Sequence, residues 1–382
     1  MHKNPFTDAE IDKRLGGFRA VLAERELDAG ILSSPENIFY LTGLDHWGYF
    51  APHMLIVPTE DRRPVLITRA MERIAIENMV RSADFRGHSD SETAADAAIA
   101  VLNERGLCGR RLGLEAWSWG LSHGLATKLK ANADARWTDI SGVVDLLRQV
   151  KSSEEQQLLR AAARVTDAAT AAAVHAVRDG ANEAEVAAAC LAAMTLAGGE
   201  PPGFGPFIRP KARLGEEHAT WGHGALDQGE AVFLEVAGCV SRYHAPNGRL
   251  IHVGPVPARD REVAAIVQDA FDATLEALRP GALGRDVYAA WQGVVDAAGL
   301  SHYRRHHCGY AVGIAFPPTW TGGPGVTGLR HDSELEIREG MSFHVISWLM
   351  GCGRGDFYFT DSVLLTGAGP EVLTKTTRIG EA

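Results

Sequence analysis

Cysteine is scarce in this sequence, and no two cysteines form a C-x-x-C pair. There are five in 382 residues, an odd number at wide spacings. The pattern argues against a zinc knuckle and against the disulfide frameworks of small secreted proteins. It predicts reduced thiols, most of them small core residues, in a reducing compartment.

Positive charge and long apolar runs are also in short supply. The chain has 38 basic and 48 acidic residues, a formal net charge of -10. No basic face is therefore expected to neutralise phosphates, which disfavours a nucleic-acid partner. No stretch reaches the roughly 18 continuous apolar residues of a membrane span, and the first residues form no apolar leader. We expect neither secretion nor a membrane partner, and a cytoplasmic location.

Several catalytic signatures are missing. The sequence has no H-E-x-x-H zinc motif, no P-loop, no G-x-S-x-G nucleophile elbow and no Rossmann fingerprint in a strand-to-helix context. Any chemistry must therefore be sought in less regular clusters of side chains.

The length predicts roughly two domains. Residues 1–148 alternate helical and strand patterns, which predicts an α/β domain. Within it the segment NIFYLTG, residues 37–43, is interpreted as a strand. Residues 149–382 open with Ala-rich helices whose start is marked by Ser152. A Gly/Pro-rich loop at 198–224 then leads into a strand pair.

The strand pair contains a solitary acid. Glu235 lies in AVFLEVAGCV, a run that is apolar on both faces, as in a covered strand. Burying an unpaired carboxylate costs several kcal/mol or forces it to take up a proton. Glu235 is either a structural residue satisfied by local hydrogen bonds or a functional one.

Two further clusters flank Glu235. The loop EEHATWGHG brings His218 and Trp221 just ahead of the strand, and histidine is the side chain best suited to moving protons near neutral pH. A solvated bystander is the alternative for His218. The second strand of the pair carries Tyr243, His244 and Arg249; the arginine could compensate Glu235 or hold a substrate carboxylate.

The last third of the chain supplies two more clusters. In RRHHCGYAVGIAFPPTW, Tyr310 and Trp320 could wall a cleft, although core packing is the commoner role of such aromatics. In SELEIREGMSFHVISWLMG, Glu336 follows a turn, and His344 lies in an apolar strand where a core histidine is an equal alternative.

Taken in order, these motifs resemble the creatinase, prolidase and methionine aminopeptidase superfamily, peptidase family M24. VKSSEEQQLLRAAARV is similar to its linking IKS-x-E-E helix, GEAVFLEVAG to its GD-x-V-x-x-D-x-G strand, REGMSF to its PGM-x-F turn and FTDSVLLT to its final strand. The resemblance spans nearly the whole chain. It implies a creatinase-type N-terminal α/β domain at 1–148 and an α+β pita-bread catalytic domain at 149–382.

The metal-dependent members of that superfamily hold two divalent ions with two Asp, one His and two Glu. By resemblance, the five ligand positions fall here on Glu235, Pro246, Tyr310, Ile346 and Thr360. Proline, isoleucine and tyrosine do not suit a hard, oxygen-rich dinuclear site. We therefore expect no catalytic metal and no cofactor.

Within the superfamily, the chain most resembles the ectoine hydrolase branch. The matching segments are HATW, EVAGC followed by RYH-x-P, GYAVG with its PP-x-W run, and GM-x-FH. This implies a metal-independent hydrolase of a C–N bond in ectoine or a similar small cyclic amidine or amide. A creatinase-like amidinohydrolase and a non-catalytic binding protein are the alternatives, and an Xaa-Pro metallopeptidase is the least expected.

The resemblance also implies roles for individual residues. Glu235 would attack the substrate or activate water, and His218 would move the proton. Family members are typically homodimers in which the N-terminal domain of one subunit approaches the active cleft of the other, so Trp47 and Tyr49 could complete a partner's pocket. The expected substrate-binding residues are Trp47, Tyr49, Trp221, Tyr243, His244, Arg249, Tyr310, Trp320, Arg330, Glu336 and His344.

Overall fold

The computed structural model describes residues 4–323 and 325–381. The chain divides into two compact units, Met1–Arg148 and Gln149–Ala382. Among the described residues, no helix is both long and apolar enough to cross a bilayer. All five cysteines are free thiols.

The N-terminal unit is an α/β structure built on a mixed six-stranded sheet of order β4-β3-β2-β1-β5-β6. Its described strands are β1 Ala29–Leu32, β2 Met54–Pro58, β3 Val65–Arg69, β4 Asp84–His88, β5 Arg111–Leu114 and β6 Arg136–Asp139. Its described helices are α1 Asp8–Glu24, α2 Pro35–Thr42, α3 Arg73–Met79, α4 Ala94–Glu104, α5 His123–Asn132 and α6 Val143–Leu147. The apolar residues of α4 pack on β1, β2, β3 and β5 to form its core.

Helix α2 corrects the strand predicted at residues 37–43. Pro35 occupies its first turn, and Gly43 ends it in the left-handed conformation that glycine accepts readily. Ser34, at the N-cap, makes no side-chain capping bond. Instead, the buried Glu115 accepts the backbone N–H groups of Ser33 and Ser34, at 2.8 Å each. A carboxylate about 80 residues away thus stabilises the start of this helix.

The C-terminal unit combines long helices with an eight-stranded sheet of order β10-β11-β12-β9-β8-β7, in which β13 pairs with β12 and β14 with β9. Its described strands are β7 Phe207–Pro210, β8 Ala231–Val240, β9 Tyr243–His252, β10 Gly309–Ala311, β11 Ser342–Leu349, β12 Phe357–Thr366, β13 Gly369–Val372 and β14 Gly380–Glu381. Its described helices are α7 Ser153–Ala176, α8 Glu183–Leu196, α9 Ala258–Ala277 and α10 Gly284–Ala297. Ser152 caps α7 in a reciprocal capping box with Glu155.

The helices cover one face of this sheet. Leu234, Arg249 and Phe359 are in register across β8, β9 and β12, so their side chains share a face. On that face Leu234 belongs to the core formed with α7 and α8, and the ring of Phe359 lies 4.9 Å from that of Phe271 on α9. The opposite face carries the next residue along β8, which is Glu235.

Candidate active site

Register places Glu235 on a polar and aromatic sheet face. It pairs with Phe207 of β7 and Gly248 of β9, while Gly248 pairs with Thr360 and Thr360 with Ile346. The Glu235 side chain is 17% exposed. The predicted strand pair is present, and the acid lies mostly buried at its centre.

Two adjoining cavities meet at Glu235, one of about 470 Å³ and the other of about 440 Å³. The residues common to both linings are Phe207, His218, Glu235, His306, His307 and Tyr310. Arg209, Phe233, Arg305 and Trp348 line only the first cavity. Phe204, Trp320 and Arg330 line only the second. A substrate that reached Glu235 could extend to either side of it.

The environment of Glu235 brings its ionisation close to neutral pH. Burial raises the pKa of the carboxyl to about 7, against the opposing influence of the Arg209 and Arg305 charges. Within the described residues its ion-pair contact is His344, with Nε2 3.9 Å from Oε1. Burial lowers the pKa of His344 to about 3, so this imidazole is neutral and does not compensate the carboxylate.

A chain of buried hydrogen bonds fixes the side chains beside Glu235. The indole of Trp320 donates to the hydroxyl oxygen of Tyr310 at 2.8 Å, and that hydroxyl lies 2.9 Å from Nδ1 of His344. Because an indole can only donate, we assign the phenolic proton to His344 Nδ1. The proton of the neutral imidazole then lies on Nε2, 2.5 Å from the Thr360 hydroxyl. Of the predicted substrate-binding residues in this chain, Tyr310 and Trp320 line the cavities, whereas His344 is fully buried, lines neither cavity and holds the Tyr310 hydroxyl in place.

His218 lies in the loop between β7 and β8 and lines both cavities. Its backbone has a φ of 59°, in the left-handed region that few non-glycine residues adopt. The ring is exposed and lies 6.2 Å from the ring of Phe204 and 6.1 Å from that of Phe207. A strained, accessible histidine on the cavity wall can exchange protons with a bound molecule and with solvent.

The donors at the five family ligand positions do not fit a dinuclear metal site. Tyr310, Ile346 and Thr360 line the first cavity with Glu235, but they offer a phenol, an alkyl group and a hydroxyl in place of imidazole and carboxylates. Pro246, paired with Ala237, has no side-chain donor. In the described part of the chain, no group of three or more His, Cys, Asp and Glu could hold an ion.

Arg249, predicted to compensate Glu235 or bind a carboxylate, lies on the helix-covered face of the sheet and is fully buried. Its guanidinium donates to Asp361 Oδ1 at 2.7 Å and to four backbone carbonyl oxygens. It lines neither cavity, because its register position differs by one residue from the site face. The structure thus gives Arg249 a structural ion pair.

Other predicted residues also lie outside the two linings. The Tyr243 hydroxyl donates to Glu155 at 2.7 Å, which links β9 to α7. His244 accepts the N–H of Gly203 at 2.9 Å and is buried, which lowers its pKa to about 3. Trp221 packs against the core beneath α7 and α8, and Glu336 is exposed.

Three predicted residues remain accessible. Arg330 lines the second cavity, where its guanidinium donates to Asp332 at 3.0 Å. Trp47 and Tyr49 belong to the N-terminal unit, with their rings stacked at 6.0 Å, and Trp47 is 51% exposed.

Sequence reasoning did not select Arg209, Arg305, His306 or His307, which all line the first cavity. Arg209 lies on β7, a strand inside the segment predicted as a Gly/Pro-rich loop. In FIRP, Phe207 and Arg209 are two residues apart, so in a strand their side chains lie on the same face. This spacing was the sequence feature that could have indicated β7 and placed Arg209 beside Phe207. The other three follow one another in the RRHH run.

The comparisons with known proteins agree with this architecture. Residues 157–367 match the model for metallopeptidase family M24, and residues 14–150 match the creatinase/prolidase N-terminal domain. An uncharacterized hydrolase/peptidase of Sinorhizobium fredii is 28% identical over 388 residues, covering 98% of this chain and 97% of that protein. The ectoine hydrolase of Halomonas elongata is 26% identical over 390 residues, covering 97% and 96%.

Among solved structures, the prolidase from Pyrococcus horikoshii superposes with a TM-score of 0.82 at 21% identity, covering 96% of this chain and 99% of that one. At this identity the likeness concerns the fold alone. The expected creatinase-type N-terminal domain and pita-bread C-terminal domain are confirmed.

Proposed function

This chain belongs to metallopeptidase family M24, and we propose that within this family of hydrolases it is a metal-independent enzyme acting on a C–N bond of a small zwitterionic cyclic amidine or amide. The preferred substrate is ectoine or a close analogue. One observation carries the proposal: Glu235, mostly buried where the two cavities meet, is the only carboxylate among the five family ligand positions.

The chemistry requires the ionised form of Glu235. Its carboxylate either attacks the amidine carbon, forming an acyl-type intermediate that water then hydrolyses, or it removes a proton from the water that attacks. In both routes water adds across the C–N bond and the ring nitrogen leaves with a proton delivered by His218. For ectoine the product is an N-acetylated diamino acid.

The shape of the second cavity supports a compact apolar end on the substrate. Trp320 and Phe204 meet edge to face at 4.7 Å, and they cover one side of the space next to Glu235. Aromatic walls of this kind suit the methyl group and ring carbons of a cyclic amidine. An amidinium group beside the Glu235 carboxylate would be stabilised by charge-assisted hydrogen bonds.

We propose that the functional form is a homodimer. The 3₁₀ segment Trp47–Phe50 presents exposed aromatics, with Phe50 74% exposed. Large exposed aromatic side chains are enriched at protein interfaces. In such a dimer, Trp47 and Tyr49 would approach the partner's cavity.

A product assay tests the reaction. The purified protein is incubated separately with ectoine, hydroxyectoine, creatine and an Xaa-Pro dipeptide, each in the presence of a chelator and again with added manganese. Mass spectrometry is expected to show ectoine or hydroxyectoine gaining one water with the chelator present.

The other arms separate the alternatives. Conversion of creatine instead would indicate an amidinohydrolase. Cleavage of the dipeptide only with manganese would overturn the proposal in favour of a metallopeptidase. Binding of ectoine without turnover of any compound would indicate a binding protein.

A further inference from the structure

Three aromatic rings form a continuous platform under the first cavity. Phe233 and Tyr358 stack with centroids 5.0 Å apart, and Trp348 lies 4.6 Å from Tyr358 and 5.7 Å from Phe233. The three come from β8, β12 and β11, where their register places them on the same sheet face as Glu235. The orientation of the Tyr358 ring is fixed by a hydrogen bond, because its hydroxyl donates to the backbone carbonyl of Leu234 at 2.7 Å.

Two guanidinium groups lie on this platform. The Cζ atom of Arg209 is 4.8 Å from the centroid of Phe233, and the Cζ atom of Arg305 is 4.7 Å from that of Trp348. Cation–π contacts of this kind hold a planar guanidinium in place while leaving its edges available for hydrogen bonds. The platform therefore presents two positive charges to one cavity.

Both arginines keep unused hydrogen-bond donors. Arg209 is only 3% exposed, and one of its N–H groups donates to the Ala219 carbonyl at 2.6 Å. The buried Nε atoms of Arg209 and Arg305 have no hydrogen-bond partner among the described residues. A buried charged donor without a partner is costly and calls for an explanation, and an anion bound in the adjoining cavity would supply one.

The acids in the same cavity do not satisfy these donors. Glu235 makes no ion pair with either arginine, and Glu217, also in the lining, is exposed to solvent. A planar anion matches paired guanidinium edges better than a spherical one, because a carboxylate accepts two parallel N–H bonds.

We propose that Arg209 and Arg305 form the substrate-carboxylate site, so that the enzyme selects substrates that carry one carboxylate group, whose scissile C–N bond lies at Glu235 and whose apolar end faces Trp320. This inference deepens the proposed function by naming the substrate class and its orientation. It also replaces Arg249, which is buried in a structural ion pair, as the carboxylate ligand.

The test uses propionate and its uncharged amide, propionamide, with binding measured by ligand-observed NMR on the full-length protein. The wild-type protein is expected to bind propionate and to bind propionamide at least tenfold more weakly. Arg209→Gln and Arg305→Gln are each expected to weaken propionate binding by about 10- to 100-fold. The wild-type comparison needs no variant, so it stands even where Arg209→Gln folds poorly.

Arg304→Gln is the matched control, because this neighbouring arginine is half exposed, pairs with Asp296 and lines neither cavity. It is expected to bind propionate as the wild type does. Equal binding of propionate and propionamide, or unchanged propionate binding in both cavity variants, would overturn the proposal.

The outcome is separable from that of the product assay. Arginine-dependent propionate binding in a protein that hydrolyses no amidine would support the anion site and contradict the proposed reaction. Turnover of ectoine with an unchanged KM in Arg209→Gln and Arg305→Gln would support the proposed reaction and contradict the anion site.

Discussion

At the scale of single residues, the position of Glu235 in the sheet determines the pKa of its carboxyl group. Its carboxyl lies between a neutral His344, which gives no compensating charge, and two arginines that act from the cavity wall. Burial therefore dominates, and the pKa of about 7 places the group at the boundary between acid and carboxylate in neutral solution. A small change in nearby charge would shift the fraction that is ionised.

The first prediction concerns Glu235 itself. Since the ionised form is the reactive one, kcat/KM is expected to rise with pH between about 6 and 8 and to level off above the pKa. Glu235→Gln should lower kcat by roughly 10²- to 10⁴-fold. At 1.36 kcal/mol per tenfold, that loss is about 3 to 5 kcal/mol of barrier. Steady-state kinetics over this pH range measure both effects.

Glu334→Gln is the control, since its side chain is 86% exposed and lies outside both cavity linings. It should keep wild-type kinetics. His218→Ala is expected to lower kcat by roughly 10²- to 10⁴-fold, because the proton donor to the leaving nitrogen is lost. A folded Glu235→Gln protein with normal turnover would contradict the role given to the carboxylate.

At the scale of elements, the sequence predicted what periodicity and caps determine locally. Helix α7 begins at the capping box of Ser152, and β8 and β9 fall where the apolar run placed them. The strand predicted at residues 37–43 was wrong, because the apolar and aromatic residues of helix α2 resemble those of a strand. The carboxylate that supports the first turn of this helix, Glu115, is distant in sequence. Strand β7 was not predicted, because it is only four residues long and lies within a long Gly/Pro-rich loop. Its pairing with β8 distinguishes it from that loop.

The candidate site shows the same limit. Glu235 and His218 were selected because one is an acid in an apolar strand and the other a histidine in a glycine-rich loop. Arg249 lies on the sheet face away from the cavity, and this follows from the register of strands β8, β9 and β12. No pattern in a single strand contains that information.

The second prediction tests the structural role of Arg249. Asp361 accepts hydrogen bonds from Arg249 at 2.7 Å, Thr374 at 2.8 Å and Arg378 at 3.0 Å. Asp361→Ala leaves the fully buried guanidinium of Arg249 without its counter-charge. We expect a loss of about 3 to 5 kcal/mol in the free energy of unfolding, measured by urea denaturation.

The double variant Arg249→Met/Asp361→Leu is expected to lose less stability than the single one, because no unpaired charge remains buried. Asp332→Ala breaks the exposed pair with Arg330 and should leave the urea midpoint unchanged. Normal stability of Asp361→Ala, together with a raised KM, would instead return Arg249 to the substrate site.

At the scale of the whole molecule, the exposed aromatics of the N-terminal unit need an explanation that the isolated chain does not give. Phe50 and Trp117 are each 74% exposed, and the rings of Trp47 and Tyr49 stack, with Trp119 edge-on to Tyr49 at 5.6 Å. Accessible aromatic rings in mutual contact, as in Trp47, Tyr49 and Trp119, are typical of protein interaction sites. A second copy of the chain is the partner we propose.

The last prediction follows from that proposal. Light scattering at micromolar concentration should give twice the mass of the chain, and Trp47→Asp/Phe50→Asp should give the mass of one, because each carboxylate would be desolvated in the interface. Leu196→Asp is the matched control: Leu196 is 89% exposed on α8, and its replacement should leave the dimer intact. If Trp47 and Tyr49 complete the partner's cavity, the monomeric variant will also show a raised KM. A monomeric wild-type protein with full activity would exclude both the dimer and that contribution, and the cavity of one chain would then be sufficient for the reaction.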